Sequence, residues 1–226
     1  MAKILFVVTS HAQLGTTGKT TGLWLEELAA PYFAATDAGH TVVLASPKGG
    51  TAPVDPGSEA ADAQTSSVKR FRDDTDALYR LDNTLPLAEV RWQEFDAVFL
   101  PGGHGTMWDL PDNPALTQIV GALFDAGRIV AAVCHGPAGL IGAKRRDGQP
   151  IVAGRRVACF TDAEEAAAGL TDAVPFLLAA KLSALGAQLS SADNFTPHAV
   201  RDGNLITGQN PASSEVTAQL MLAALA

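Results

Sequence analysis

The pair Cys134-His135, in the stretch AAVCHGPAGL, joins two side chains that often act together in nucleophilic catalysis. A thiol attacks as its thiolate, and an adjacent imidazole can take the proton. Neighbours on a regular strand point to opposite faces, so the two cooperate only if the strand ends there in a sharp turn. The following residues permit one, since Gly136 tolerates unusual backbone angles and Pro137 suits a first helical turn. A thiol on such a strand-to-helix elbow sits at a helix N-terminus, whose partial positive charge is expected to lower its pKa. The plainer reading of the same cysteine is a small apolar filler at a strand end. Cys159, inside RVACF, carries only that plainer reading.

Three further groups could serve the thiol. The loop PGGHG, Pro101 to Gly105, follows the apolar run DAVFLP. Gly102, Gly103 and His104 lie where N–H groups can face a developing oxyanion, together with the N–H of His135. In TTGLWLEELAAPY, Pro31 stands four residues after Glu27, so the Glu27 carbonyl loses its helical hydrogen bond. Leu23, Trp24, Ala30 and Ala34 would draw the Glu27 carboxyl into an apolar pocket, raise its pKa and make it a proton donor at neutral pH. Periodicity alone does not separate Glu27 from Glu26. Glu164-Glu165, after ACFTDA, either orients a histidine as a third triad member or forms a charged first helical turn. GTTGKT, Gly15 to Thr20, lacks the glycine spacing of a phosphate-binding loop and is read as no nucleotide site.

The elements that must position these groups follow from the apolar pattern. Short buried runs start at Lys3, Thr41, Asp96, Arg128, Arg156 and Asn204, and read as strands covered on both faces. Helical stretches lie at Leu23–Asp37, Pro114–Ala126, Ala173–Leu185 and Ser213–Leu225. The alternation predicts an α/β fold with a mostly parallel sheet, and such sheets bind ligands outside the carboxyl ends of their strands. The 226 residues, 47% of them hydrophobic, are read as one domain, 1–226, with a cap-like insertion at about 48–94. Within it, Trp92 and Leu85–Leu87 are expected to be buried. A net charge of −8 argues against nucleic acid and anionic membranes as partners. Ile4–Val8 is too short for a secretory core, and no run reaches the roughly 20 apolar residues of a membrane helix. Two cysteines make no disulfide framework, so a cytoplasmic location is expected.

Together these segments resemble the ThiJ/PfpI superfamily of class I glutamine amidotransferase-like proteins, closest to its heat-shock-chaperone-like branch with the glutathione-independent glyoxalases (glyoxalase III). The resemblance rests on TGLWLEELAAPY, ASPKGGTAPVDPGS, FDAVFLPGGHGTMWDLP, AAVCHGPAGL, ACFTDAEE and DGNLITGQNPASS, in that order along the chain. It implies a flavodoxin-like three-layer α/β/α sandwich and a homodimer. It also implies Cys134 as nucleophile, His135 as its base, Glu27 as the acid at the thiol and Glu165 as third triad member, with Glu164 close behind. Gly103 and the His135 amide match the oxyanion site. The implied reaction converts methylglyoxal, a small aldehyde, to D-lactate with neither metal nor organic cofactor, and extends to protein deglycation. The alternatives are a holdase chaperone or oxidative-stress sensor, in which Cys134 is oxidised, and a cysteine amidase or peptidase. Amidotransferases of this core carry a late His-x-Glu pair; here His198 is followed by alanine and valine.

Overall fold

The computed structural model describes residues 1–226. The chain opens with β1 (Lys3–Val7), α1 (Leu25–Asp37) and β2 (Thr41–Ser46). The insertion contributes α2 (Ser66–Asp73), α3 (Thr75–Asp82) and the short β3 (Leu85–Pro86). Then come β4 (Ala97–Leu100), α4 (Thr106–Asp109), α5 (Pro114–Asp125) and β5 (Ile129–Val133). The last third holds β6 (Arg156–Val157), α6 (Asp162–Ala167), α7 (Leu178–Ala184), β7 (Gln188–Leu189), β8 (Ala199–Asp202), β9 (Leu205–Gly208) and α8 (Ser214–Leu225).

Seven strands form one sheet in the order β3-β2-β1-β4-β5-β9-β8, parallel except for the β8–β9 pair. Strand side chains alternate between faces, so the apolar runs supply two cores. Leu5, Val98, Leu100 and Val130 pack with α5 on one face, while Ile4, Phe6, Phe99 and Val133 pack with α1 and α8 on the other. The result is a flavodoxin-like three-layer α/β/α sandwich. The chain runs outward from β1 to β2 and β3, then crosses back to place β4 on the other side of β1. That reversal opens a crevice at the carboxyl ends of β1 and β4, the position where open α/β sheets take ligands.

Three expectations need correction. RVACF contributes only Arg156 and Val157 to a strand, paired with β7 in a separate two-stranded sheet. Its remainder is tied down elsewhere: the Ala158 N–H donates to Thr207 Oγ1 and the Phe160 N–H to the Cys134 carbonyl, at 2.8 and 2.9 Å. The helix expected from Ala173 starts only at Leu178, because Pro175 disfavours helical backbone at Val174 and has no N–H to bond. Within the insertion Leu87 is buried and Trp92 half-buried, but Leu85 is 43% exposed at the sheet edge. The insertion itself is well anchored. Phe71 of α2 is fully buried against Tyr32 and Phe33 of α1, with ring centroids 5.6 and 6.1 Å apart.

Candidate active site

Three loops meet at the crevice, each following a parallel strand. The β5 strand ends on Cys134, whose φ of 60° lies in the left-handed region that side chains other than glycine rarely adopt. This turn puts the thiol and the His135 ring on the same side, which a continuing strand would forbid. Cys134 Sγ lies 3.3 Å from His135 Nδ1. Strain of this kind persists where surrounding structure holds it, and here the Cys134 N–H donates to the Gly208 carbonyl at 2.9 Å. The Thr106 hydroxyl then links the elbow to the glycine loop, lying 2.8 Å from the Gly103 carbonyl and 3.1 Å from that of His135.

The acid comes from α1. Glu27 is fully buried and accepts the Gly102 N–H on Oε2 at 2.7 Å, whereas Glu26 is only half-buried and accepts the Thr65 hydroxyl of the insertion. Glu27 Oε1 is buried with no conventional partner, and the carboxyl's remaining neighbour is the Cys134 thiol. Burial pushes the Glu27 carboxyl up to about 8, against the pull of the thiol and the Gly102 amide. Glu27 therefore carries a proton at neutral pH, and the open Oε1 is the oxygen free to present it to the sulfur. A Cβ on Gly102 would come within 2.7 Å of Glu27 Oε2, so this position must be glycine for the acid to dock.

The expectation of a lowered thiol pKa is not met. Burial, then the neighbouring Glu27 carboxyl, push the Cys134 thiol up, and only the amides of His135 and Gly103 pull it down. The segment after the elbow, Gly136–Leu140, is a single short 3-10 turn and offers little dipole. The two groups share one low-dielectric site, so charging the sulfur requires Glu27 to keep its proton.

Glu165, at the start of α6, reaches the other side of His135. Its Oε2 accepts from His135 Nε2 at 2.7 Å, and its Oε1 from His104 Nε2 at 2.9 Å. Burial works against the Glu165 charge, but the hydrogen bonds from His104 and His135 outweigh it and hold the carboxyl at about 2. Burial and the neighbouring His104 press His135 down to about 4 despite Glu165. His135 is thus neutral, with its proton on Nε2 and an acceptor lone pair on Nδ1 toward the thiol. The ligand atoms of His104, His135 and Glu165 lie within 4.8 Å of one another. As they stand, both carboxylate oxygens already accept an imidazole N–H.

The residues expected from sequence therefore gather, with two changes of part. The Gly102 N–H is spent on Glu27 and is not available to an oxyanion. His104 meets Glu165 through its ring. The Gly103 and His135 amides, both directed at the sulfur, are the donors left for an oxyanion, and Gly103 needs its freedom at a φ of 93°.

Glu164 turns the opposite way. It forms a capping box with Thr161 and accepts from the Phe195 N–H, Gln209 Nε2 and Asn210 Nδ2 at 2.8, 3.0 and 2.9 Å. Burial opposes its charge, but Thr161, Phe195, Asn210 and Gln209 together hold the carboxyl below its usual range. The T-x-x-E spacing of Thr161 and Glu164 was the signal that could have separated the two glutamates. Replacing Glu164 with alanine would strand several buried donors, so a loss of about 3 kcal/mol or more is expected, read by urea unfolding. A loss below about 1 kcal/mol would mean that water replaces the carboxylate without penalty.

The cavity over Cys134 holds about 760 Å³ and is walled by Trp24, Phe160, Phe195 and Leu170, with Lys19 and Asp55 among its lining residues. Sequence reasoning missed these walls. Phe195 is held at a φ of 59° and half-exposed, and its ring stands 6.1 Å from that of Phe160, which in turn lies 4.4 Å from the His135 ring. Asp55, from the insertion, accepts the Thr21 hydroxyl at 2.6 Å and thereby fixes the insertion to the segment leading into α1.

A flavodoxin-like sandwich with a cysteine elbow beside its switch point, a buried acid at the thiol and an imidazole–carboxylate pair behind it defines the class of the protein. The chain belongs to the DJ-1/PfpI family, whose sequence pattern it matches over residues 20–224. It is 32% identical over 236 aligned residues to Glyoxalase 3 of Candida albicans, covering 99% of this chain and 98% of that protein. It is 29% identical to a glutathione-independent glyoxalase of Schizosaccharomyces pombe, over 92% of this chain and 90% of the relative. Among solved structures, the Francisella tularensis Rapid Encystment Protein 24 kDa superposes with a TM-score of 0.96 at 36% identity, over 100% of both chains. Glyoxalase III of Candida albicans superposes with a TM-score of 0.91 at 29% identity, over 99% of this chain and 97% of that one. No helix is long and apolar enough to cross a membrane.

Proposed function

We propose that this protein is a glutathione-independent glyoxalase that converts methylglyoxal to lactate through a covalent adduct on Cys134. The observation that carries the reading is the thiol held between a neutral imidazole 3.3 Å away and a protonated, buried carboxyl. Relatives that align with nearly the whole chain and bear the glyoxalase name support it.

The chemistry balances without an outside oxidant. The Cys134 sulfur bonds to the aldehyde carbon, and its proton passes by way of His135 Nδ1 to the former aldehyde oxygen, giving a hemithioacetal. The hydrogen on that carbon then leaves as a proton, its electron pair forms a carbon–carbon double bond, and Glu27 protonates the ketone oxygen. Return of a proton to the second carbon and loss of one from the first oxygen to Glu27 give a thioester of lactate. The first carbon has been oxidised and the second reduced. Water hydrolyses the thioester, releasing lactate and the thiol. The Gly103 and His135 amides stabilise the oxyanion in both additions.

We place this activity in the cytoplasm, a reading supported by two free thiols, Cys134 and Cys159. The test is lactate formation by the purified protein from methylglyoxal with no glutathione present, read by lactate release. Steady lactate formation is the expected result. Folded protein that makes none overturns the proposal.

A further inference from the structure

One carboxylate in this site serves two imidazoles. A nucleophile–base–orienter triad needs only the His135 branch, in which Glu165 fixes the ring so that Nδ1 faces the thiol. Yet Glu165 also accepts from His104 at a similar distance, 2.9 Å against 2.7 Å. The same logic fixes the second ring. When Nε2 carries the hydrogen donated to the carboxylate, the lone pair of an uncharged imidazole lies on Nδ1. No protein group hydrogen-bonds that nitrogen, although the His104 side chain is only 11% exposed and lines the cavity over Cys134. The rings of His104 and His135 are 4.2 Å apart, and both residues line that cavity.

The proposed reaction leaves one proton transfer without an owner. His135 faces the sulfur and Glu27 lies buried beneath it, both placed to exchange protons with sulfur and oxygen. The carbon-bound proton must leave the first carbon of the hemithioacetal and return to the second, which calls for a base facing the substrate from the cavity.

We infer that His104 is a catalytic residue whose Nδ1 takes the proton from the first carbon of the hemithioacetal and returns it to the second. The inference rests on the glyoxalase reading. In the forward step the C–H bond breaks, its electrons form the carbon–carbon double bond, and the proton resides on Nδ1 while Nε2–H stays bonded to the Glu165 carboxylate, which stabilises the imidazolium. In the return step Nδ1 gives that proton to the second carbon as the thioester carbonyl forms, and the ring is neutral again. Glu165 thereby steadies two imidazolium ions at different moments of one turnover, each through its own oxygen.

The test is His104→Gln, which keeps an N–H to donate to Glu165 but removes the basic nitrogen. Lactate formation is expected to fall about 100-fold or more. Alkylation of Cys134 by iodoacetamide should not fall by more than about twofold, since His135 and Glu27 are retained and the loss of His104 only relieves a group that presses His135 down. With methylglyoxal deuterated on its aldehyde carbon, the variant should show a larger isotope effect than wild type, because carbon-proton transfer becomes rate-limiting. A residue that only holds Glu165 in place would slow alkylation in parallel and leave the isotope effect unmoved, and that result overturns the inference, as does turnover within about threefold of wild type. Wild-type protein that makes no lactate overturns the glyoxalase reading instead, and the inference falls with it.

Discussion

Cys134→Ser is expected to lose lactate formation by about 10⁴-fold or more, while its melting temperature stays close to that of wild type. The substitution is nearly isosteric and leaves the left-handed backbone at φ 60° as strained as before. What changes is the acidity and polarisability of the nucleophile. His135, pressed down to about 4, is a weak base; it can relay a proton from a thiol but is poorly matched to a hydroxyl. The low-dielectric site that raises the thiol raises a hydroxyl as well, from a far higher starting point. Lactate release and thermal melting, measured side by side on both proteins, check this. Turnover in the variant above about 1% of wild type would place the chemistry on another group. Cys159 is no substitute, because it is buried in the core on the other face of the sheet and does not line the cavity over Cys134.

Sequence and structure agree best where the chemistry dictates the backbone. Apolar runs such as Ile4–Val8 have no other place than the middle of a covered sheet, and CHGP after a buried run is poorly suited to continue as a strand. The elbow and the glycine loop were therefore legible. Glu27 is separated from Glu26 only by the family resemblance, and the structure adds the physical reason: one faces Gly102 and the thiol, the other Thr65. The thiol pKa is not legible in the sequence because what controls it, full burial and a carboxyl brought from α1, is tertiary. Phe195 was invisible for the same reason. Nothing in SADNFTP marks a left-handed phenylalanine, since the group that pins its N–H, Glu164, lies 31 residues earlier. The second partner of Glu165 was equally hidden, because His104 was read for its place among glycines and not for its ring.

Glu27→Gln separates the catalytic use of this burial from its cost. The amide oxygen can still accept the Gly102 N–H, so the α1 contact survives, but no proton can be delivered to the substrate oxygen. Lactate formation is expected to fall about 10²–10⁴-fold. In wild type, kcat/KM should decline as pH rises through about 8, where Glu27 loses its proton, and this limb should be absent from whatever activity the variant retains. Stability should move the other way. The folded carboxyl titrates near 8 against a usual 4.5, so the native state binds the proton more tightly than the unfolded chain. Its contribution is complete below the unfolded value and is lost as pH rises toward 8, by up to roughly 1.4 kcal/mol per pH unit. Glutamine has no such dependence. The melting temperature of the variant relative to wild type should therefore climb between pH 5 and pH 8.5, ranges set by those two values, and level off beyond. A constant difference across that range would mean that Glu27 titrates as an ordinary surface carboxylate. Undiminished lactate formation would remove it from the proton path. Loss of activity joined to a gain in stability at pH 8 is the signature of an acid that the fold keeps buried, at a cost, for its proton.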